Sequence, residues 1–223
     1  MNKDFASVNV LVACECSQRV AKSFRELGCN AFSCDIMPCY GGHPEFHICG
    51  DVLPLIDGHC SFITSDGTVH FINRKWDLII AHPPCTYLCN SGLRWLKNNP
   101  SRKILQNNAV EFFMRFVNAD CERIAIENPV GVMSTLYRKP DQIYNPFEFF
   151  GETDCKRTCL WLKGLPTLES TQDLPKSMRT HSFHTGFFDG KQYAYNSVEI
   201  KILRSRTPWG VARAMASQWS SCL

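Results

Sequence analysis

The chain has 223 residues, enough for one well-buried domain with at most a small appendage. Hydrophobic residues make up 44% and charged residues 20%, which excludes a disordered chain, and its apolar runs are too short to span a bilayer. The net charge of +3 hides an asymmetry: residues 1–155 carry 14 basic and 17 acidic side chains, whereas residues 156–223 carry 10 basic and 4 acidic, so only the last third has the balance that attracts a phosphate backbone.

In chain order, Val8 to Cys14 reads as a strand buried on both faces. A helix from about Gln18 to Leu27 follows, with Val20, Ala21, Phe24 and Leu27 on one stripe and Gly28 as its stop. Asn30 to Cys34 is a second strand closing on Asp35, and Phe46 to Cys49 a short third strand closing on Asp51. Between Pro54 and Lys75, two short strands flank Asp66-Gly67, a hairpin-turn signal. Asp77 to Ala81 is a further buried strand and runs into His82-Pro83-Pro84-Cys85. A helix over about Ser101 to Val117 is expected to bury Ile104, Leu105, Ala109, Phe112, Phe113 and Phe116. Arg123 to Ile126 is the next strand and delivers Glu127-Asn128-Pro129. Beyond Gly131 the pattern loosens; Thr158 to Leu162 reads as a strand and Val211 to Trp219 as a closing helix.

Strands alternating with helices predict an α/β fold, a mostly parallel sheet with helices on both faces. A single domain, 1–223, is expected: a cofactor half (1–52), a hairpin insertion (53–76), a catalytic half (77–162) and a basic C-terminal segment with its closing helix (163–223). Thirteen cysteines, an odd number with no secretory signal, point to a reducing cytoplasm rather than a disulfide scaffold. His43, His47 and Cys49, and the Cys155/Cys159 pair, raise the question of zinc, yet no C-x-x-C pair exists, and no metal is expected.

Glu15 and Ser17, Asp35, Asp51, Cys85 and Glu127 each follow a successive buried strand, so the topology gathers them at the carboxyl edge of the sheet, where ligands bind. Asp35 is placed for ribose hydroxyls, Ile36 for an adenine face, and Asp51 with Val52 for an adenine edge. The turn after the first strand, Ala13-Cys14-Glu15-Cys16-Ser17, lacks the glycines that let a backbone approach a pyrophosphate, which favours a nucleoside cofactor without phosphates. Cys85, fixed by prolines on a strand-end loop, is a candidate nucleophile, and Glu127 a candidate acid across the same cleft; a buried structural thiol is the competing reading.

Pro84-Cys85 behind its strand resembles the nucleophile motif of DNA cytosine-C5 methyltransferases, Glu127-Asn128-Pro129 is similar to their Glu-Asn-Val motif, and Gly50-Asp51-Val52 to their adenine-edge motif. Lys156 to Leu162 looks like their arginine-bearing strand. The runs Val10–Glu15, Ile80–Leu88, Ile126–Pro129, Cys159–Pro166 and Arg204–Pro208 resemble a set of small phage and prophage DNA cytosine methyltransferases over most of the chain. The resemblance implies an S-adenosylmethionine-dependent methyltransferase of Rossmann-like fold acting on DNA, duplex or single-stranded. It implies Cys85, Glu127, Asn128 and Arg157 in catalysis, and Cys14, Glu15, Ser17, Asp35, Ile36, Asp51, Val52, Pro83 and Pro84 around the cofactor. The chain departs from the family's glycine-rich first motif, carries Cys159 where a second arginine is expected, and has no clear Asn-Ser contact near Thr207-Pro208-Trp209. Only about 45 residues separate Leu162 from Pro208, too few for a large target-recognition domain, so any sequence specificity is expected to be short. Two other readings stand beside this one. The first is an amino-methyltransferase, whose Asp/Asn-Pro-Pro-aromatic loop His82-Pro83-Pro84-Cys85 partly echoes. The second is a catalytically degenerate relative that binds nucleic acid or protein through its basic third.

Overall fold

A computed structural model describes residues 5–90, 99–194 and 197–223. Its centre is a seven-stranded sheet built from β1 (Asn9–Ala13), β2 (Asn30–Asp35), β3 (His47–Cys49), β6 (Leu78–Ala81), β7 (Ile124–Pro129), β8 (Gln142–Tyr144) and β9 (Thr158–Lys163). The strand order is β3-β2-β1-β6-β7-β9-β8. Four successive pairings from β3 to β7 are parallel, and β9 slots antiparallel between β7 and β8. The sheet order reverses between β1 and β6, which makes their carboxyl ends the switch-point crevice.

The pleat divides the strand residues between two cores. Leu11, Ala13, Ile79, Ala81, Ile126 and Trp161 face one layer; Val10, Val12, Leu78, Ile80, Ala125 and Leu160 face the other. Helices α1 (Arg19–Glu26) and α6 (Trp209–Trp219) cover the second layer with Val20, Ala21, Phe24, Val211, Met215 and Trp219, while α2 (Pro100–Val117) covers the first. Gly28, at φ +95°, ends α1: its N–H bonds to Arg25 O while Cys29 N–H reaches Phe24 O, the paired closure that a left-handed residue permits. The hairpin β4 (Cys60–Ile63) and β5 (Val69–Ile72) turns at Asp66-Gly67 as the sequence predicts, and packs Phe62 against Phe32 at 5.0 Å. Asp66 accepts from the hydroxyls of Thr64 and Thr68, each at 2.7 Å. No helix among the described residues is long and apolar enough to cross a membrane.

Three details differ from the sequence reading. Ile104 and Leu105 are exposed, because the buried stripe of α2 instead starts at Gln106, whose Nε2 donates to Tyr87 O at 3.1 Å. Leu27 is exposed because it is the C-cap rather than part of the stripe. Strand β8 and the short helices α3 (Met133–Leu136), α4 (Ser182–Thr185) and α5 (Val198–Ser205) lie in the stretch where periodicity gave no signal.

Candidate active site

The catalytic candidates leave two neighbouring parallel strands. Cys85 sits four residues beyond β6, and Glu127 near the end of β7, which pairs in register with β6. The loops that carry them are stitched together: Asn128 Nδ2 donates to Pro83 O at 2.7 Å, Val132 N–H to Leu88 O at 2.8 Å, and Cys89 forms a bridge with Gly131. A Cβ at Gly131 would collide with the Leu88 carbonyl, so only glycine allows this approach. Gly131→Ala is expected to cost about 1–3 kcal/mol. It should also reduce any activity that depends on Cys85 by roughly 10²-fold, since the loop must shift. Urea unfolding and turnover together check this; an alanine variant equal to wild type in both would show that the two loops are not held by this contact.

Glu127 is not an open carboxylate. Its Oε2 lies 3.0 Å from His82 Nδ1, and both side chains are only 11% exposed. Thr207 is among the groups that lower the Glu127 pKa, and Glu127 is among those that raise the Tyr144 pKa. Burial works against charge on both partners. The hydrogen bond and charge of Glu127, helped by Glu15, nevertheless raise the His82 pKa, and His82 in turn holds Glu127 below the ordinary carboxylate range with help from Lys156 and Thr207. Both shifts favour the charged form of the pair, imidazolium with carboxylate.

Cys85 is half-buried, and its thiol pKa is raised, first by the hydrogen bond to the Cys89 sulfur and then by burial; the Lys156 ammonium opposes this. Lys156 therefore acts on all three groups, favouring charge on Cys85 and Glu127 and opposing it on His82. It is held by Arg204 O at 3.0 Å and by the Phe183 ring at 4.5 Å. The neighbouring Arg157, expected to serve catalysis, is exposed and exerts its charge on Cys159. Successive residues entering β9 point to opposite faces, so the inward cation is Lys156. His82, Lys156, Cys89, Thr207 and Tyr144 were not singled out for the site by sequence. Only His82, between a buried strand and two prolines, stood where a sequence signal was available.

Among the cofactor candidates, Glu15 is buried (4% exposed) beneath α1, where Oε1 accepts from Val20 N–H at 2.7 Å and Oε2 from Ala21 N–H at 3.2 Å. It caps the helix, and Ser17 Oγ donates to it at 3.4 Å, so the carboxylate expected at the cofactor is spent inside the chain. The Val52 side chain is likewise in the core. The open edge belongs to Cys14, Asp35, Ile36 and Asp51. Ile36 is 78% exposed; the Cys14 thiol pKa is pushed up by burial and then by the charges of Asp35, Cys34 and Asp51, which places both acids beside it. Asp35 Oδ1 accepts from Met37 N–H and Asp51 Oδ1 from Leu53 N–H, fixing each carboxylate at its turn. Cys14 has φ 60° and Gln18 φ 57°: the strand-to-helix turn takes the left-handed conformation that glycine usually supplies. The edge thus fits an adenosine bearing free ribose hydroxyls: two carboxylates to accept hydrogen bonds and an exposed aliphatic face.

Pro83 is buried and Pro84 exposed. Two buried polar atoms beside them, His82 Nε2 and Asn128 Oδ1, have no partner among the described residues. Each such atom costs about 1–3 kcal/mol. His47, one of the residues that raised zinc, has both ring nitrogens engaged, with Ser33 Oγ and Met37 O. Among the described residues no group of three His, Cys, Asp or Glu side chains is arranged to hold a metal. Two clefts of about 380 and 190 Å³ open near α1 and α6, and neither is lined by Cys85 or Glu127. No protein-family model matches the chain, and no curated protein matches it.

Proposed function

We propose that the protein transfers a methyl group from S-adenosylmethionine to carbon 5 of cytosine in DNA, through a covalent adduct on Cys85. The observation that carries this reading is the pairing of two loops at the switch-point edge. A cysteine and a carboxylate leave adjacent parallel strands, their loops are locked by Asn128 and Gly131, and both groups feel one buried-side cation, Lys156. The two unpartnered polar atoms, His82 Nε2 and Asn128 Oδ1, support a site that awaits a polar ligand.

Asp35, Ile36 and Asp51 would hold the cofactor, which supplies an electrophilic methyl group. The chain's own residues do the remaining work. The target base leaves its stack to reach them. Cys85 Sγ, as thiolate, forms a bond to C6 and pushes the C5–C6 electron pair onto C5. The proton given up by Cys85 passes to N3 as the sulfur adds, and the Glu127 carboxylate, oriented by His82, accepts from N3–H and from the exocyclic amine and so stabilises the adduct. After methylation, a water molecule takes the C5 proton, and the C5–H electron pair re-forms the C5–C6 double bond as the Cys85 sulfur leaves with its bonding pair and recovers its proton from N3. In the resting site Cys89 holds the Cys85 proton. A base that displaces Cys89 removes the largest of the effects raising the thiol pKa and leaves Lys156 to favour the thiolate.

The raised Cys85 thiol and the engaged Glu127 favour one competing reading, a methyltransferase-like fold that binds without turnover. Incubation with methyl-labelled S-adenosylmethionine and DNA, followed by mass spectrometry of the nucleosides, separates the readings: 5-methylcytosine is expected. An N-methylated base instead would mean an amino-methyltransferase, and an unlabelled digest would mean the binder. The cofactor alone is expected to stabilise the fold by about 2.7 kcal/mol at a hundredfold excess over its Kd. A flat thermal shift would count against the adenosyl site itself.

A further inference from the structure

The sequence places the excess positive charge in the last third, but the fold joins part of it to the N-terminal helix. Trp209, the first residue of α6, is ringed by three cations: Arg19 Cζ lies 5.2 Å from the indole centroid, Arg213 Cζ 5.8 Å and Lys22 Nζ 6.0 Å. These are distances at which the ring quadrupole holds a cation in place. Arg206 completes the group, since it lines both open clefts together with Arg19 and Trp209. The smaller cleft, about 190 Å³, is bounded by Ser17, Arg19, Lys22, Tyr40, Arg206 and Trp209, and no acidic residue lines it. Among the described residues none of these four cations forms an ion pair with a carboxylate. The larger cleft is lined by three acids, Glu152, Asp154 and Asp189, of which Glu152 accepts from Gly210 N–H at 2.8 Å.

Holding several like charges together is costly; Glu152, Glu15 and Asp189 offset part of the charge of Arg19 without forming an ion pair with it, and the smaller cleft, lined by no acid, leaves room for an anion. Arg19, half-buried, is already less willing to carry its charge because of burial and then because of Arg206. The cluster also adjoins the candidate active site. Arg19 Nη1 donates to Thr207 O at 3.2 Å, and Thr207 is among the groups that hold the Glu127 pKa down. Trp209 has its surroundings filled by guanidinium and ammonium groups, so it works as a mount for the charges rather than as a stacking platform.

We propose that the smaller cleft is a phosphodiester site, in which Arg19, Lys22 and Arg206 beside Trp209, with Arg213 on the larger cleft that shares the Trp209 wall, bind the backbone of the nucleic-acid strand that carries the target base. The identity of that strand rests on the proposed methyl transfer, whereas the phosphate chemistry of the cleft does not. The contact is to phosphate, so it holds the strand without reading its sequence.

The test measures binding of a fluorescein-labelled single-stranded DNA of about 12 nucleotides to the full chain without cofactor, by anisotropy across a salt series. Lys22→Ala and Arg206→Ala are each expected to weaken binding about fivefold at 0.1 M salt and to lower the log Kd against log salt slope by about 0.7. Lys22→Glu, a charge reversal on an accessible helix position, should weaken it further; Lys201→Ala, elsewhere in the basic third, should leave both quantities unchanged. Equal melting temperatures certify that the variants fold. Wild-type affinity and slope in Lys22→Glu and Arg206→Ala would overturn the proposal, as would no binding by the wild type. So would an Arg206→Ala protein that keeps its oligonucleotide affinity but loses stabilisation by S-adenosylmethionine, because the cleft would then serve the cofactor's carboxylate. Failure of methyl transfer with the predicted salt slopes intact would refute the enzyme reading and leave the phosphodiester site standing.

Discussion

Replacing Cys85 by alanine is expected to abolish methyl transfer, with a loss on the order of 10⁴-fold or more, and to eliminate the denaturation-resistant adduct with DNA containing 5-fluorocytosine. The physical reason is that no other group near the strand ends replaces a sulfur nucleophile: Cys89 is engaged with Cys85 and follows it by one turn, its N–H on Cys85 O at 2.9 Å. Fluorine at C5 removes the proton whose loss would release the enzyme, so trapping reports bond formation at C6 directly. The fold should survive, since a half-buried thiol on a loop contributes little packing. Cys89→Ala gives the converse result. Without the hydrogen bond that raises the Cys85 thiol pKa most, the thiolate fraction rises, and alkylation of Cys85 by iodoacetamide should be faster than in wild type. Undiminished turnover in Cys85→Ala would remove the nucleophile from the mechanism.

Glu127→Gln is expected to slow methyl transfer by about 10²- to 10⁴-fold, and also to destabilise the protein by about 3–5 kcal/mol. Both effects have one source. The substitution keeps the shape but deletes the charge opposite His82, leaving an imidazole 11% exposed with Nε2 already lacking a partner among the described residues. The pH dependence follows from the two shifts. His82 has its pKa raised above 6.5, so its contribution is present below that value and disappears as pH climbs through the folded pKa. Glu127 has its pKa lowered below 4.5, so its contribution is present above that value and disappears as pH falls through the folded pKa. The stability gap between wild type and Glu127→Gln should therefore be widest between pH 4.5 and 6.5 and should narrow on either side. Urea unfolding across this range measures it; a gap that widens steadily toward alkaline pH would contradict a charged pair.

Much of the sheet was legible from the sequence because its strands are apolar on both faces and each ends on a polar residue: Val10 to Ala13, Asp35 after Cys34, Ile79 to Ala81. Helix α1 announced itself through Val20, Ala21 and Phe24 and its glycine stop. The insertion of β9 between β7 and β8 was not legible, since antiparallel pairing is set by partners distant in the chain and leaves no local period. Nor was the register of α2 in its first turns, where Gln106 turns inward to bond Tyr87 O while Ile104 and Leu105 stay out.

The same division runs through the candidate site. Chain order alone placed Asp35, Asp51, Cys85 and Glu127 at one edge, because a parallel strand followed by a crossover must deliver its last residue to the same side of the sheet. Which of the delivered groups face each other was decided only by three-dimensional packing. Glu15 was drawn under α1 by the unpaired N–H groups of Val20 and Ala21; His82 rather than a ligand met Glu127; and Lys156 rather than Arg157, both just ahead of β9, brought its charge to bear on Glu127. Local sequence fixes backbone path through steric and hydrophobic periodicity, which act over a few residues. Side-chain contacts act through space, and so the Trp209 ring could gather Arg19 and Lys22 with Arg213, and bring them beside Arg206, from opposite ends of the chain.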